Sequence, residues 1–277
     1  MRRRLLLLLV AASLAALAVA AAARAQAPGT WKPDIAAASD YAQNRKGLIG
    51  FGIRTENPAL PGQNGYWHWH HGTTMPSASV IKAMILVAYL SRSDVRNRAL
   101  TDKDRGMLRP MIEWSSDSAT NKTFNYVGFD GLRKLANRVG MRKFKTTDHW
   151  GRSQIDAEDQ SKFMLHLDDF IGYDSDKQSV RQNHRQYALY LLNHIISDQR
   201  WGVWKVDTPG WRKYSKAGWG AGTGWVDSQV TLLKRNGMRI SLAILTHNDP
   251  DHEYGKNTLR AIASRLLRGL NEQSVVQ

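Results

Sequence analysis

Ser79-Val80-Ile81-Lys82-Ala83-Met84-Ile85-Leu86-Val87-Ala88-Tyr89-Leu90 reads as a helix with no polar side. A helix that is apolar all round belongs in an interior. Lys82 is its only charge before Arg92. A lysine drawn into such surroundings is desolvated, which lowers its pKa and lets the amine accept a proton. Ser79 stands three residues earlier, on the same face of the helix start. There the helix dipole favours developing negative charge. A serine beside an amine of depressed pKa is a nucleophile–base pair. The plain alternative for an isolated S-x-x-K is a surface lysine one turn after a capping serine; the missing polar face argues against it.

Upstream, Asp34 to Lys46 reads as a helix between Pro33 and Gly47. Leu48 to Arg54 and Gly65 to His70 read as strands, with Pro58, Pro61, Gly62 and Asn64 marking the turn between them. Downstream the spacing predicts helices over Asp102 to Trp114, Ala119 to Val127, Phe129 to Val139, Asp156 to Phe170 and Val180 to Ile196. Met141 to Ile155 reads as an irregular polar loop. Strands return at Tyr214 to Trp219, Trp225 to Lys234 and Met238 to Thr246. The last two flank Asn236-Gly237, a type I′ hairpin signal. A final helix is expected to start near Thr258, with Leu259, Ile262, Ala263, Leu266, Leu267 and Leu270 at helical spacing. First and last segments combine into one five-stranded antiparallel sheet flanked by the terminal helices. The stretch between them forms an all-helical lobe. This is an α/β (α+β) arrangement within a single domain, residues 26–277. Its sheet lobe spans 31–75 and 205–270, and its helical lobe 79–200. A site is expected in the cleft between the lobes.

Two further segments join Ser79 and Lys82. Ser115-Ser116-Asp117 lies between two helices, and Lys216-Ala217-Gly218-Trp219 lies on the strand before the hairpin. S-x-x-K, then an S-x-N-like triplet, then a K-T-G-like triplet is the signature of the serine β-lactamases and penicillin-binding proteins. From about residue 31 to 270 the chain resembles the class A β-lactamases, in its motifs and in its order of elements. The resemblance implies a β-lactamase-like fold and these roles. Ser79 is the acylated nucleophile, and Lys82 is its base or holds the network that activates it. Ser115 relays a proton to the leaving group. Asp117 stands where the family has an asparagine. Lys216 supplies positive potential for a substrate carboxylate and for Ser115. Ala217, Gly218 and Trp219 line the substrate, the N–H groups of Ser79 and Trp219 forming the oxyanion hole. The substrate implied is a small molecule, a β-lactam or a D-alanyl cell-wall peptide, and neither cofactor nor metal is called for.

The match departs in three places. Asp117, when ionised, accepts hydrogen bonds but cannot donate one to a substrate carbonyl, and pairing with Lys82 would raise that lysine's pKa. Ala217 lacks the hydroxyl of the K-T-G triplet, and no arginine stands at the matching place on the strand Trp225 to Lys234, where Asp227 and Ser228 are nearby. The loop Met141 to Ile155 lacks E-x-x-L-N, whose glutamate activates the deacylating water in class A enzymes; its only acid is Asp148. Penicillin-binding behaviour is therefore expected over efficient drug hydrolysis, the alternatives being a D-alanyl-D-alanine carboxypeptidase or a non-catalytic cell-wall-binding protein of the same fold.

The first 25 residues have the pattern of a secretory leader: Arg2, Arg3 and Arg4, an uncharged apolar run from Leu5 to Ala22, then Ala23-Arg24-Ala25. An uncut membrane anchor is the other reading. Cleavage implies a secreted or periplasmic protein. The chain has no cysteine and a formal charge of +15; four arginines fall in the leader, which leaves +11 for the rest. Such a protein is drawn to anionic cell-envelope surfaces. The basic residues are scattered and form no nucleic-acid motif, which argues against nucleic acid as a partner. Trp201, Trp204, Trp211, Trp219 and Trp225 cluster in sequence around Lys216, as a cleft lining or as core. In Tyr66-Trp67-His68-Trp69-His70-His71, strand periodicity puts His68 and His70 on one face, as a metal pair or as ordinary surface histidines.

Overall fold

The computed structural model describes residues 30–62 and 64–276. The leader, residues 1–25, lies outside the described residues. The first elements are β1 (Thr30–Trp31), α1 (Ile35–Gln43), β2 (Leu48–Glu56), β3 (Tyr66–Trp69) and β4 (Met75–Pro76). A 3-10 turn, Ala78–Ile81, leads into α2 (Lys82–Leu90), which is followed by α3 (Asp102–Glu113) and α4 (Asp117–Val139). A second 3-10 turn, Trp150–Arg152, precedes β5 (Gln154–Ile155), α5 (Ala157–Leu165), α6 (Leu167–Phe170) and α7 (Gln178–Asn193). The chain ends with β6 (Arg212–Gly220), β7 (Trp225–Arg235), β8 (Met238–Asp249), α8 (His252–Leu266) and β9 (Val275–Val276). Among the described residues no helix is long and apolar enough to cross a membrane.

The central sheet has five antiparallel strands in the order β3-β2-β8-β7-β6, so the chain's first strands pair with its last. Asn236 and Gly237 turn β7 into β8 with φ of 47° and 81°. Two positive φ values in succession are what a type I′ turn requires. Side chains alternate across the strands. Ile240, Leu242 and Ile244 pack with Leu259, Ile262 and Leu266 of α8 in one core. Val230, Leu232, Ala243 and Leu245 enter a second core with α2 and the other helices of the middle stretch. The sheet is thus buried on both faces. All nine residues of α2 are buried, Lys82 included.

Several elements differ from their sequence-based expectation. Ser79 lies in the 3-10 turn, and regular helix begins only at Lys82. The helix expected from Asp156 to Phe170 is two, α5 and α6, broken at His166 with φ −118° and ψ 22°. α8 starts at His252, six residues before Thr258. Asp251 caps it, accepting from Tyr254 N at 2.7 Å, and its polar first turn carries no apolar stripe to reveal it. The loop Met141 to Ile155 holds the second 3-10 turn and β5, which pairs with β4 beside Ser79.

The two helices expected on either side of Gly128 form α4, bent where Gly128 takes φ 61° and ψ 179°. That conformation is essentially restricted to glycine, and a Cβ there would meet no atom within 4 Å. Gly128→Ala isolates backbone strain from packing. It is expected to lower the unfolding free energy by about 1–3 kcal/mol, read from the urea midpoint at unchanged slope.

Candidate active site

Two chain reversals bring the three sequence segments together. The backbone of β6 runs so close to the 3-10 turn that a Cβ on Gly218 would stand 2.8 Å from Ser79 N and 2.7 Å from Val80 N. Only a glycine allows that approach. Ala78, just before Ser79, has φ 42°, and Ser115 has φ 55°. Left-handed backbone at two non-glycine residues is strain that surrounding contacts must hold, a condition that clusters at functional sites.

Lys82 reaches this point from the first turn of α2 with a fully buried side chain. Its ammonium donates to Ser115 O at 2.7 Å, Ser115 Oγ at 3.2 Å and Asp117 Oδ1 at 2.6 Å. The left-handed backbone at Ser115 accompanies a carbonyl and a hydroxyl that both meet the same nitrogen. Asp117 opens α4 with a largely exposed side chain. Desolvation lowers the Lys82 pKa, and the hydrogen bond and charge of Asp117 oppose that shift. Lys216, on β6, is also fully buried; it donates to Ser115 Oγ at 3.0 Å and to Ala217 O at 2.8 Å. Burial first, and then the charge of Lys82, push its pKa well below the ordinary lysine range. The Ser115 hydroxyl therefore sits between two amines, its lone pairs facing both, and its own proton is free to point elsewhere. Ser79 Oγ is not among the three acceptors of Lys82, so a direct Lys82–Ser79 hydrogen bond is not the resting arrangement.

Ser79, Asp117 and Trp219 line one cleft of about 360 Å³, together with His149, Trp150 and Arg152. A larger cavity of about 540 Å³ lies among Arg92, Tyr126 and Lys134 and holds none of the motif residues; volume alone does not locate the chemistry. Ala217 points away from the cleft into the core under α8, as strand alternation requires.

The loop Met141 to Ile155 supplies what sequence reading missed. Trp150 is buried, donates its indole N–H to Asn121 Oδ1 at 2.8 Å, and presents its ring to the Lys82 ammonium at 5.0 Å. Arg152 brings a cation into the cleft wall. Asp148 is exposed and bonded to Arg152 Nη1 at 2.8 Å; it takes no place in the cleft. No motif marks Trp150 or Arg152, because their importance comes from β5 pairing with β4. His68 and His70 do not make a pair: β3 ends at Trp69, His70 has φ 44°, and its ring stacks on Trp69 while His68 stacks on His71. Among the described residues no group of three or more His, Asp or Glu side chains is placed to hold a metal ion. Trp201 and Trp211 are core, and Trp219 and Trp225 are half-buried.

The model of the Beta-lactamase enzyme family matches residues 105–270, more than half of the chain. The chain belongs to the β-lactamase enzyme family. The match includes Ser115, Asp117 and Lys216 to Trp219 and begins after Ser79 and Lys82. Among solved structures, a β-lactamase from Sphaerobacter thermophilus superposes with a TM-score of 0.70 at 20% identity, over 86% of this chain and 97% of that one. A β-lactamase from Xanthomonas campestris gives 0.64 at 13% identity, over 85% and 96%. A class A representative from Bacteroides cellulosilyticus gives 0.65 at 12% identity, over 86% and 98%. At these identities the likeness establishes the β-lactamase fold. No curated protein sequence matches the chain.

The ion pair at Lys82 is directly testable. Asp117 holds the lysine's pKa up, so Asp117→Asn is expected to move its titration to lower pH. NMR of the lysine 13Cε resonances, with Lys82→Arg to assign the signal, checks the direction.

Proposed function

We propose that this member of the β-lactamase family is an exported serine acyl-hydrolase that forms an acyl-enzyme at Ser79 on a β-lactam or a related amide or ester. One observation carries the reading: Ser115 Oγ lies within hydrogen-bond reach of both Lys82 and Lys216, and Asp117, the carboxylate partner of Lys82, lines the cleft that holds Ser79. Ser79 Oγ attacks the carbonyl carbon. The developing oxyanion is taken up by the N–H groups of Ser79 and Trp219, a reading that the close approach of Gly218 to Ser79 N supports. The Ser79 proton passes to the amine network, and Ser115 delivers a proton to the departing nitrogen as the C–N bond breaks. Export rests on the leader pattern of residues 1–25, and the positive charge suits an anionic cell envelope.

Deacylation needs a base for water. Beside Lys82 the loop offers the apolar face of Trp150, and Asp148 is held by Arg152 outside the cleft. The acyl-enzyme is then long-lived, and the protein behaves as a penicillin-binding protein. A D-alanyl peptide of the cell wall offers the same acyl-donor chemistry. Arg152 stands in for the absent strand arginine as a contact for a substrate carboxylate.

Intact mass after incubation with a fluorescent penicillin tests the reading. A stable adduct on the wild type and none on Ser79→Ala is the expected result; an equal adduct on both would overturn it. Ser115→Ala should slow acylation by about 10²–10⁴-fold, the usual weight of a positioned proton donor. The acylation rate should first rise with pH, the midpoint of that rise lying below the ordinary lysine range, because the free amine is the active form and desolvation favours it. Arg152→Gln should weaken binding of carboxylate-bearing substrates with a smaller effect on the acylation step, read as a rise in the dissociation constant of the pre-acylation complex at a little-changed limiting acylation rate.

A further inference from the structure

On the far side of β6 from Lys216, strand pairing sets Asp227 beside Trp219. Asp227 is fully buried. One carboxyl oxygen, Oδ1, lies 2.6 Å from His252 Nδ1 at the start of α8. The other, Oδ2, is buried and has no hydrogen-bond partner among the described residues. It is sealed by α8: a Cβ on Gly255 would stand 2.2 Å from it. The His252 ring, about one third exposed, lies against Trp219 at 6.2 Å and Trp225 at 6.3 Å, and Trp201 meets it edge-on at 5.8 Å. Trp219 in turn touches Trp201 at 6.1 Å and has the Lys216 ammonium 6.0 Å from its ring. The buried Asp227 carboxyl, with Oδ2 unpartnered, carries a desolvation cost that an apolar side chain there would not.

We propose that His252 and Asp227 form a proton-sensitive clamp on Trp219, and that they act as positioning residues for the end of β6 that closes the cleft opposite Ser79. The clamp's effect on acylation rests on the function proposed above; its effect on the Trp219 environment does not.

The charges around the pair decide its titration. From β8, Asp249 faces Asp227, and its carboxyl is bonded to Thr246. From α8 and its cap come Asp251, Glu253 and Lys256, and from the segment after α1 Arg45 acts on Asp249. From β6 comes Lys216, across the Trp219 ring. Burial, and then the charge of Asp249, push Asp227 up to about 8. Burial lowers His252. Near neutrality the pair is therefore neutral overall, its two members sharing one proton across the short hydrogen bond. As pH rises through about 8 that neutral state is lost, and a net negative charge forms beneath Trp219. The sign follows from linkage: a carboxyl whose folded pKa is raised stabilises the fold below its unfolded pKa, and that contribution disappears as pH climbs through the folded value.

Tryptophan fluorescence of the full chain, followed from pH 6 to pH 10 in wild type, Asp227→Asn and His252→Gln, is the primary test. An alkaline transition in the wild type that both variants lose, at unchanged far-UV circular dichroism, supports the clamp. The same transition in both variants, or none in the wild type, overturns it. Penicillin acylation of the same proteins reads the positioning effect. Asp227→Asn should remove the alkaline fall in the acylation rate constant and leave drug affinity unchanged, whereas His252→Gln should lower the rate constant at every pH. Should the wild type itself not acylate, the Ser79 reading fails while the fluorescence result still decides the clamp. A wild-type acylation profile retained by both variants would refute the positioning role.

Discussion

The buried ammonium of Lys82 is the constraint around which this molecule is organised. α2 has no polar face, so its one charge cannot reach water. An unpaired buried ion costs several kcal/mol, and three acceptors answer it: two atoms of Ser115 and the carboxylate of Asp117. Meeting them requires the chain to turn sharply between α3 and α4, and the left-handed backbone of Ser115 is part of that turn. The same requirement fixes where α4 begins, since Asp117 is its first residue.

Lys216 extends the constraint to the sheet. It too is buried, and it shares Ser115 Oγ with Lys82. Two amines around one hydroxyl cannot both hold a full charge cheaply, so their pKa values are coupled to each other and to Asp117. That coupling depends on β6 lying flush against the 3-10 turn that carries Ser79. Gly218 makes the contact possible, because any side chain there would collide with backbone. On the opposite face of β6 the aromatic rings of Trp201 and Trp219 and the His252–Asp227 pair fill the space under α8. The strand that carries the second half of the site is thus held from both sides by polar groups inside apolar surroundings.

Much of this was legible in the sequence, for identifiable reasons. The apolar run after Lys82 marked a buried helix, and period-two alternation with Asn236-Gly237 marked the β7–β8 hairpin, because local patterns encode these elements. The motif order pointed to the family to which the chain belongs. Less legible were features whose cause is non-local. The start of α8 was missed because its first turn is held by the Asp251 cap. Trp150 and Arg152 gave no signal because their chain segment reaches the cleft through the pairing of two short strands. Asp227 was noticed as the residue near a missing arginine, but its partner His252 lies 25 positions on, in another element.

The sequence by itself determined which faces had to be buried, and hence the sheet, its two coverings and the meeting of three short motifs at one cleft. Hydrophobic periodicity and turn chemistry are properties of neighbouring residues, and they survive in a linear reading. Only the tertiary structure decided the hydrogen-bond partners of Lys82, the tryptophan ring that stands beside it, and the pairing of Asp227 with His252. Those are set by distances between segments remote in sequence, and burial makes each of them stronger than anything the local chain can impose.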